Sequence, residues 1–299
     1  MLAENLETCP NIVPESGARI APVRRAIVDR TFGHTRGPIT RLMSPSDLGE
    51  VLKPFVFLDH AVFEPEEGAM PMELGWHPHS GIATITVMLD GGIRFAETTG
   101  KSGELPAGGV EFMRAGGGVW HTGAPLPGGG KLFQLWIALP PELENGPNAS
   151  RYVLPNEVPS VGPARVILGE YGGVKSLLEA PAMTYLQVTL KDGERFRYEP
   201  PRGHSVAWVA VSEGTLDAGE AVEGGEIAVF ERSEQAIDFV PRGDTRFVLG
   251  SAAPHPYDLH LGSYSVHTSE LALLQGETEI RRIGQELANQ GVLRRSIRL

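Results

Sequence analysis

From Val23 to Gly262 the chain is written as short apolar runs rich in Val, Ile, Phe and Thr, each closed by glycine or proline, and this rhythm restricts the fold more than any other feature. The runs are Phe55 to Leu58, Ile82 to Leu89, Val110 to Met113 and Leu132 to Leu139, followed by Val166 to Leu168, Tyr185 to Leu190, Val206 to Val211, Ile227 to Phe230 and Phe247 to Leu249. Segments this short, β-branched or aromatic and bounded by turn formers, make strands, because a helix needs a longer periodic stretch. The 37 glycines and 24 prolines supply the turns. The expectation is an all-β protein of antiparallel strands.

One segment breaks the rhythm. Between Ser269 and Asn289 the apolar residues Leu271, Leu274, Ile280, Ile283 and Leu287 recur at helical spacing, behind Thr268 or Ser269 as N-cap. A helix closing against a barrel is predicted there. With 299 residues, two cores are expected. Residues 1–22 are polar and read as an N-terminal arm, 23–145 as the first barrel, 146–163, with Pro147, Pro155 and Pro159, as a linker, 164–262 as a second barrel and 263–299 as the tail with its helix.

The net charge of -11, from 26 basic and 37 acidic side chains, repels phosphate backbones and anionic lipids, so neither nucleic acid nor membrane is expected as a direct partner. The basic residues Arg294, Arg295 and Arg298 read as a solvated terminus. Cys9 is the one cysteine, and no apolar run reaches the roughly 18 residues of a membrane span. Together with the lack of a basic segment followed by an apolar stretch, these features point to the cytoplasm.

Chemistry concentrates in two segments. In Gly75-Trp-His-Pro-His-Ser-Gly, an extended backbone turns His77 and His79 to the same face, and Pro78 stiffens their spacing. In Gly116-Gly-Gly-Val-Trp-His-Thr-Gly, a glycine-rich turn can bring His121 back beside the pair. Three neutral imidazoles suit Fe, Ni, Cu or Zn and leave positions open for water or substrate. Trp76, Trp120 and Trp136 flank these segments as core aromatics or pocket walls. Asp59 and His60 are expected to be structural or to support the ligands, and His204, without a His-x-His partner, to leave the second barrel without metal.

The chain resembles the pirins, a bicupin family of the cupin superfamily. The matching segments are Pro54-Phe-Val-Phe-Leu-Asp-His, His77-Pro-His-Ser-Gly, Pro106-Ala-Gly-Gly-Val-Glu-Phe-Met-Arg-Ala-Gly-Gly-Gly-Val-Trp-His, Gln134-Leu-Trp-Ile and Leu261-Gly-Ser-Tyr-Ser-Val-His-Thr. The resemblance implies two tandem jelly-roll-like cupin barrels, with His77, His79 and His121 holding one divalent transition metal in the first, iron ahead of nickel, copper or zinc. It also implies a glutamate two residues after the third histidine and another four after the second, where this chain has Gly123 and Ala83. Both residues are expected to vacate volume beside the ion. A replacement carboxylate would have to come from Glu97, Glu104 or Glu111, all expected to face solvent.

The activity implied is that of a quercetin 2,3-dioxygenase type of oxidoreductase. A three-imidazole site keeps the full charge of its ion and so favours a small anionic aromatic or enediol substrate that chelates. The alternatives are a metal-dependent regulatory module with a protein partner, and a degenerate cupin without metal.

Overall fold

The computed structural model describes residues 24–64, 74–178 and 182–293. The arm, Cys9 and the arginines at 294, 295 and 298 lie outside the described residues. Each apolar run predicted to be a strand lies in one, most of them extended at their ends, except that the strand holding Leu132 stops at Ala138, one residue short of Leu139. A nine-stranded sheet runs in the order Ala149–Val153, Val110–Arg114, Ile82–Glu97, Val119–Ala138, Phe55–Phe63, Ile39–Met43 and His34–Arg36. The short strands His77–His79 and Ser102–Pro106 pair with Val119–Ala138 and Ile82–Glu97 respectively. A seven-stranded sheet, Ile27–Thr31, Ile227–Phe230, Val206–Glu213, Thr245–Ala252, Met183–Leu190, Ala164–Leu168 and Ser160–Val161, and a four-stranded one, Phe196–Tyr198, Ile237–Pro241, Thr215–Asp217 and Ala221–Glu223, form the second barrel. The protein is all-β, with two cupin barrels and one long helix.

Two sequence expectations change. Residues 146–163 carry a strand of each sheet rather than a plain linker, since Ala149–Val153 pairs with Val110–Arg114 and Ser160–Val161 with Ala164–Leu168. The chain also crosses early: Ile27–Thr31 pairs with Ile227–Phe230 of the second barrel. Pairings this distant in sequence leave no local trace, because each strand needs only an apolar run to qualify. Two short helices, Leu48–Leu52 and Pro141–Glu144, also fall outside the predicted strand pattern.

The barrels share a core. Phe55, Ile85, Phe133 and Leu135 from the first meet Tyr185, Trp208 and Val248 from the second in one buried cluster. Phe55 meets Trp208 edge-on, with ring centroids 5.5 Å apart. The strand Ile82–Glu97 therefore has two dry faces. Ala83, Ile85 and Val87 point into the shared core, while Thr84 and Thr86 point into the first barrel, where both donate to Glu111. Ala83 thus stands on the face away from the site and frees no volume beside it, contrary to expectation.

The C-terminal helix spans Glu270–Asn289, with Ser269 as its N-cap accepting from the Ala272 amide. Its predicted stripe is only half right. Ile280 and Leu287 are buried, but Leu271 and Leu274 are 76% and 59% exposed and border a surface groove against Gly117, Gly118 and the 145–148 turn. The helix faces the barrel instead through Gly276 and Gly284, both buried. A Cβ on Gly284 would sit 2.6 Å from Cζ2 of Trp120, whose indole Nε1 donates to Ile280 O at 2.7 Å. Gly284→Ala gains about 1 kcal/mol of helix propensity but forces that ring aside at about 1–3 kcal/mol. Urea denaturation is expected to show a net loss of about 1 kcal/mol. No helix among the described residues is long and apolar enough to cross a membrane.

Candidate metal centre

The strand His77–His79 pairs antiparallel with Val119–Ala138 in a register that sets His77 opposite His121 and His79 opposite Val119. Extended backbone puts His77 and His79 on one face, and the cross-strand pairing brings His121 to it. The chain turns sharply on leaving this strand at Gly81, in the left-handed region with φ of 74°, whose amide donates to Gly116 O at 2.8 Å. A side chain there would strike the Val266 carbonyl and the His267 ring. The turn at Gly81 thus ties the two histidine-bearing segments together.

Among the described residues, these three histidines alone form a group of His, Cys, Asp or Glu arranged to hold one ion, with their ligand atoms within 4.8 Å of one another. Two of the tautomers are fixed. His77 Nδ1 donates to Gly75 O at 2.9 Å, and His79 Nδ1 to Tyr264 O at 3.1 Å, so each presents the bare lone pair of Nε2. His121 Nε2 is buried without a hydrogen-bond partner. Burial lowers all three pKa values, that of His79 to about 3 and that of His121 well below the usual imidazole range, with His77 adding to the effect on both. Three neutral imidazoles, His79 buried and His77 and His121 half-buried, with the Nε2 lone pairs of His77 and His79 free, fit a divalent transition metal.

His77 and His121 line a cavity of about 70 Å³, with His79 behind them. Its walls are apolar and aromatic, with Phe63, Leu74, Ile93 and Phe95, and Phe95 stacks on Tyr152 at 3.7 Å between ring centroids. The tryptophans do not line it. Trp120 anchors the helix, and Trp136 stacks on Phe57 and meets His79 edge-on at 4.8 Å, buttressing that ring from behind. Asp59 does line it, held bidentately by Arg41 at 2.9 and 3.0 Å, whereas His60, one residue on, faces the other way and bonds Ser212 of the second barrel at 3.0 Å. His204 belongs to a buried network with Ser251 and Tyr198, and aromatic rings including Phe196, Phe239 and Phe247 fill that barrel.

The carboxylates are the main correction. Glu104 is exposed, but Glu97 and Glu111 are only 5% and 4% exposed, and Glu111 lines the cavity with His77 and His121. Glu111 accepts from the hydroxyls of Thr86 and, at 3.4 Å, Thr84. Burial, with the Glu97 charge beside it, pushes its pKa up to about 7 against the pull of those hydroxyls. Glu97 lies opposite His121 across the sheet and accepts from Ser150 at 2.7 Å. The sequence carries no signal for this, because an acid in Val110-Glu-Phe-Met fits the wet face of an alternating strand equally well.

Gly123 also lines the cavity, and its backbone does not require glycine: a Cβ would meet only Arg94 O at 3.7 Å and Leu74 Cδ1 at 3.9 Å. Gly123→Glu is therefore expected to fold and to add a charged ligand, tightening divalent-metal binding by about tenfold or more in a competition titration.

A two-barrel cupin with a three-histidine centre in its N-terminal barrel is the class that fold and site define. Comparison with known proteins narrows it. Residues 38–137 match the Pirin family model. A Pseudomonas aeruginosa protein named "Putative quercetin 2,3-dioxygenase PA2418" is 30% identical over 73% of this chain and 81% of its own length. The Arabidopsis thaliana pirin-like protein 2 is 29% identical over 66% of this chain and 61% of its own. Among solved structures, a quercetin 2,3-dioxygenase from Acinetobacter baumannii superposes with a TM-score of 0.78 at 24% identity, covering 87% of this chain and 98% of the other. The Escherichia coli pirin YhhW, solved in complex with nickel(II), gives 0.59 at 18% identity, covering 77% and 98%. The chain belongs to the pirin family.

Proposed function

We propose that this pirin is a metal-dependent oxygenase, of the quercetin 2,3-dioxygenase type, acting on a small anionic phenol or enediol that chelates through two oxygens. The observation that carries this reading is the convergence of three neutral imidazoles, two of which line one aromatic-walled cavity. His77, His79 and His121 would hold a divalent ion, iron first. When bound, the ion supplies Lewis-acid polarisation and a template for the substrate oxygens. The chain's own groups do the rest. Phe95 and Tyr152 exclude water and pack a flat ring, while Gln134 and Asp59 offer polar contacts to its substituents. Without a carboxylate at Gly123, an anionic ligand is what balances the ion's charge.

The cavity volume bears on size. A cavity of about 70 Å³ is small, so a one-ring catechol or an enediol is favoured over a three-ring flavonol, which requires the walls to part. The same tightness favours a second reading, in which the metal serves a regulatory, protein-binding role. Metal analysis and oxygen uptake separate them. Protein purified without an affinity tag is expected to hold near-stoichiometric metal and to consume oxygen with catechols, and the His77→Ala, His121→Ala variant to do neither. Metal without oxygen uptake on any catechol, enediol or flavonol would leave the regulatory reading; metal-free natural protein that also takes none up would sink both.

A further inference from the structure

We propose that Glu111 is the proton acceptor of the cavity, taking the hydroxyl proton of the bound substrate in the place of the glutamate this chain lacks at Gly123. The inference rests on the oxygenase reading above, and it concerns a residue on a different strand, reached from a different wall, than the missing one.

Geometry singles Glu111 out among the buried acids. Asp59 lines the cavity but both its oxygens are engaged by Arg41. Glu97 is buried but does not line the cavity, and one oxygen is bonded to Ser150. Glu111 is buried, lines the cavity, and has no cationic partner among its hydrogen bonds. Thr86 occupies Oε2 with a close bond, while Oε1 receives only the long 3.4 Å contact from Thr84, so Oε1 keeps an open lone pair. Two hydroxyl donors aimed at one carboxyl hold it in a fixed rotamer, which a proton acceptor needs.

The groups facing Glu111 set its working range. Tyr152, opposite it on the neighbouring strand, is itself raised far above the usual phenol range by burial and by the charges of Glu111 and Glu97, so it stays protonated. Across the cavity stand His77, His121 and Asp59 with Arg41. Near neutrality Glu111 therefore titrates where a general base is most useful. The step balances simply. The substrate O–H bond breaks, its electron pair remains on the substrate oxygen, and the proton goes to Oε1 of Glu111; no oxidant takes part.

The test uses zinc-loaded full-length protein, which cannot turn over, with 4-nitrocatechol as a probe whose absorption reports its ionisation. At pH 8, where Glu111 is ionised, binding by the natural protein is expected to release almost no net proton, as measured by calorimetry in buffers of different ionisation heat. Glu111→Gln should release about one proton more, and its affinity should climb about tenfold per pH unit between pH 7 and 9 while that of the natural protein stays flat. Equal proton release and parallel pH profiles would overturn the assignment while leaving the metal-site reading intact. Should the variant fail to fold, the natural protein decides alone: one proton released at pH 8 overturns the proposal. Zinc uptake without any nitrocatechol binding would sink the oxygenase reading and this inference together.

Discussion

Changing His79 to alanine is expected to lower affinity for a divalent transition metal by more than about a hundredfold, a larger loss than removing a group that only supports a ligand, which costs 10–100-fold. The site has three neutral donors, so each carries a third of the coordination the protein supplies. His79 is also the most constrained of the three. It is 1% exposed, its Nδ1 is committed to Tyr264 O, and Trp136 packs edge-on against its ring. No neighbouring side chain is placed to substitute, because Glu97 and Glu111 lie outside the cluster of converging ligand atoms. The measurement is competition against a colorimetric chelator, with His79→Gln as a polar control of similar reach. An affinity within threefold of the natural protein would refute the assignment of His79 as a ligand. Denaturation of the same variant without metal should cost about 1–3 kcal/mol, the penalty for leaving the Tyr264 carbonyl without its donor.

The histidines were legible in the sequence because two simple rules act on them without interference. Parity along an extended segment puts His77 and His79 together, and a glycine turn before Val119 returns His121 to the partner strand. Ala83 shows where parity fails. Counted from His79 along one continuous strand, it would share the ligands' face, but the left-handed turn at Gly81 separates the strand His77–His79 from Ile82–Glu97 and resets the alternation. Glu111 was hidden for another reason. In a strand with one wet face, an acid marks the outside; here the second barrel covers the outside, so Ile82 to Met88 are all buried and the alternation of polar with apolar residues is lost. A buried glutamate then looks like a surface one.

The helix was misread through the same kind of inversion. Spacing assigned the large residues Leu271 and Leu274 to the core, whereas the helix turns Gly276 and Gly284 inward and leaves those leucines exposed. Close approach is the cause. The His267 ring and Ser80 Oγ would lie 2.5 and 2.6 Å from a Cβ on Gly276, so only a glycine lets the helix lie against the histidine strand. Small residues at a contact carry no hydrophobic signal, and a pattern built on large apolar side chains passes over them.

That close packing leads to the second large effect. Glu144, only 3% exposed at the end of the short helix Pro141–Glu144, accepts from the Thr268 amide at 2.6 Å and from its hydroxyl at 2.8 Å. His267 Nδ1 stands 3.3 Å from the same carboxylate, at ion-pair distance but outside hydrogen-bond alignment, while its Nε2 meets Ser80 Oγ at 3.0 Å. Burial lowers the His267 pKa although Glu144 opposes the shift, so the ring is read as neutral and the carboxylate's firm bonds are those to Thr268. Through this hub the segment 264–268 is pinned beside the histidine strand, where Tyr264 O orients His79 and Ser265 bridges to Ser80. Glu144→Ala strands two half-buried donors of Thr268 and opens a gap beside His267, at a cost of about 2–3 kcal/mol in denaturant unfolding. It should also weaken metal binding by about 10–100-fold, although Glu144 touches no metal ligand, because the carbonyl that fixes the His79 tautomer loses its anchor. Glu144→Gln keeps an acceptor for Thr268 and is expected to recover most of both losses. A Glu144→Ala protein that is destabilised yet binds metal as tightly as the natural one would show that His79 is oriented by its own strand, and that the C-terminal segment only covers the site.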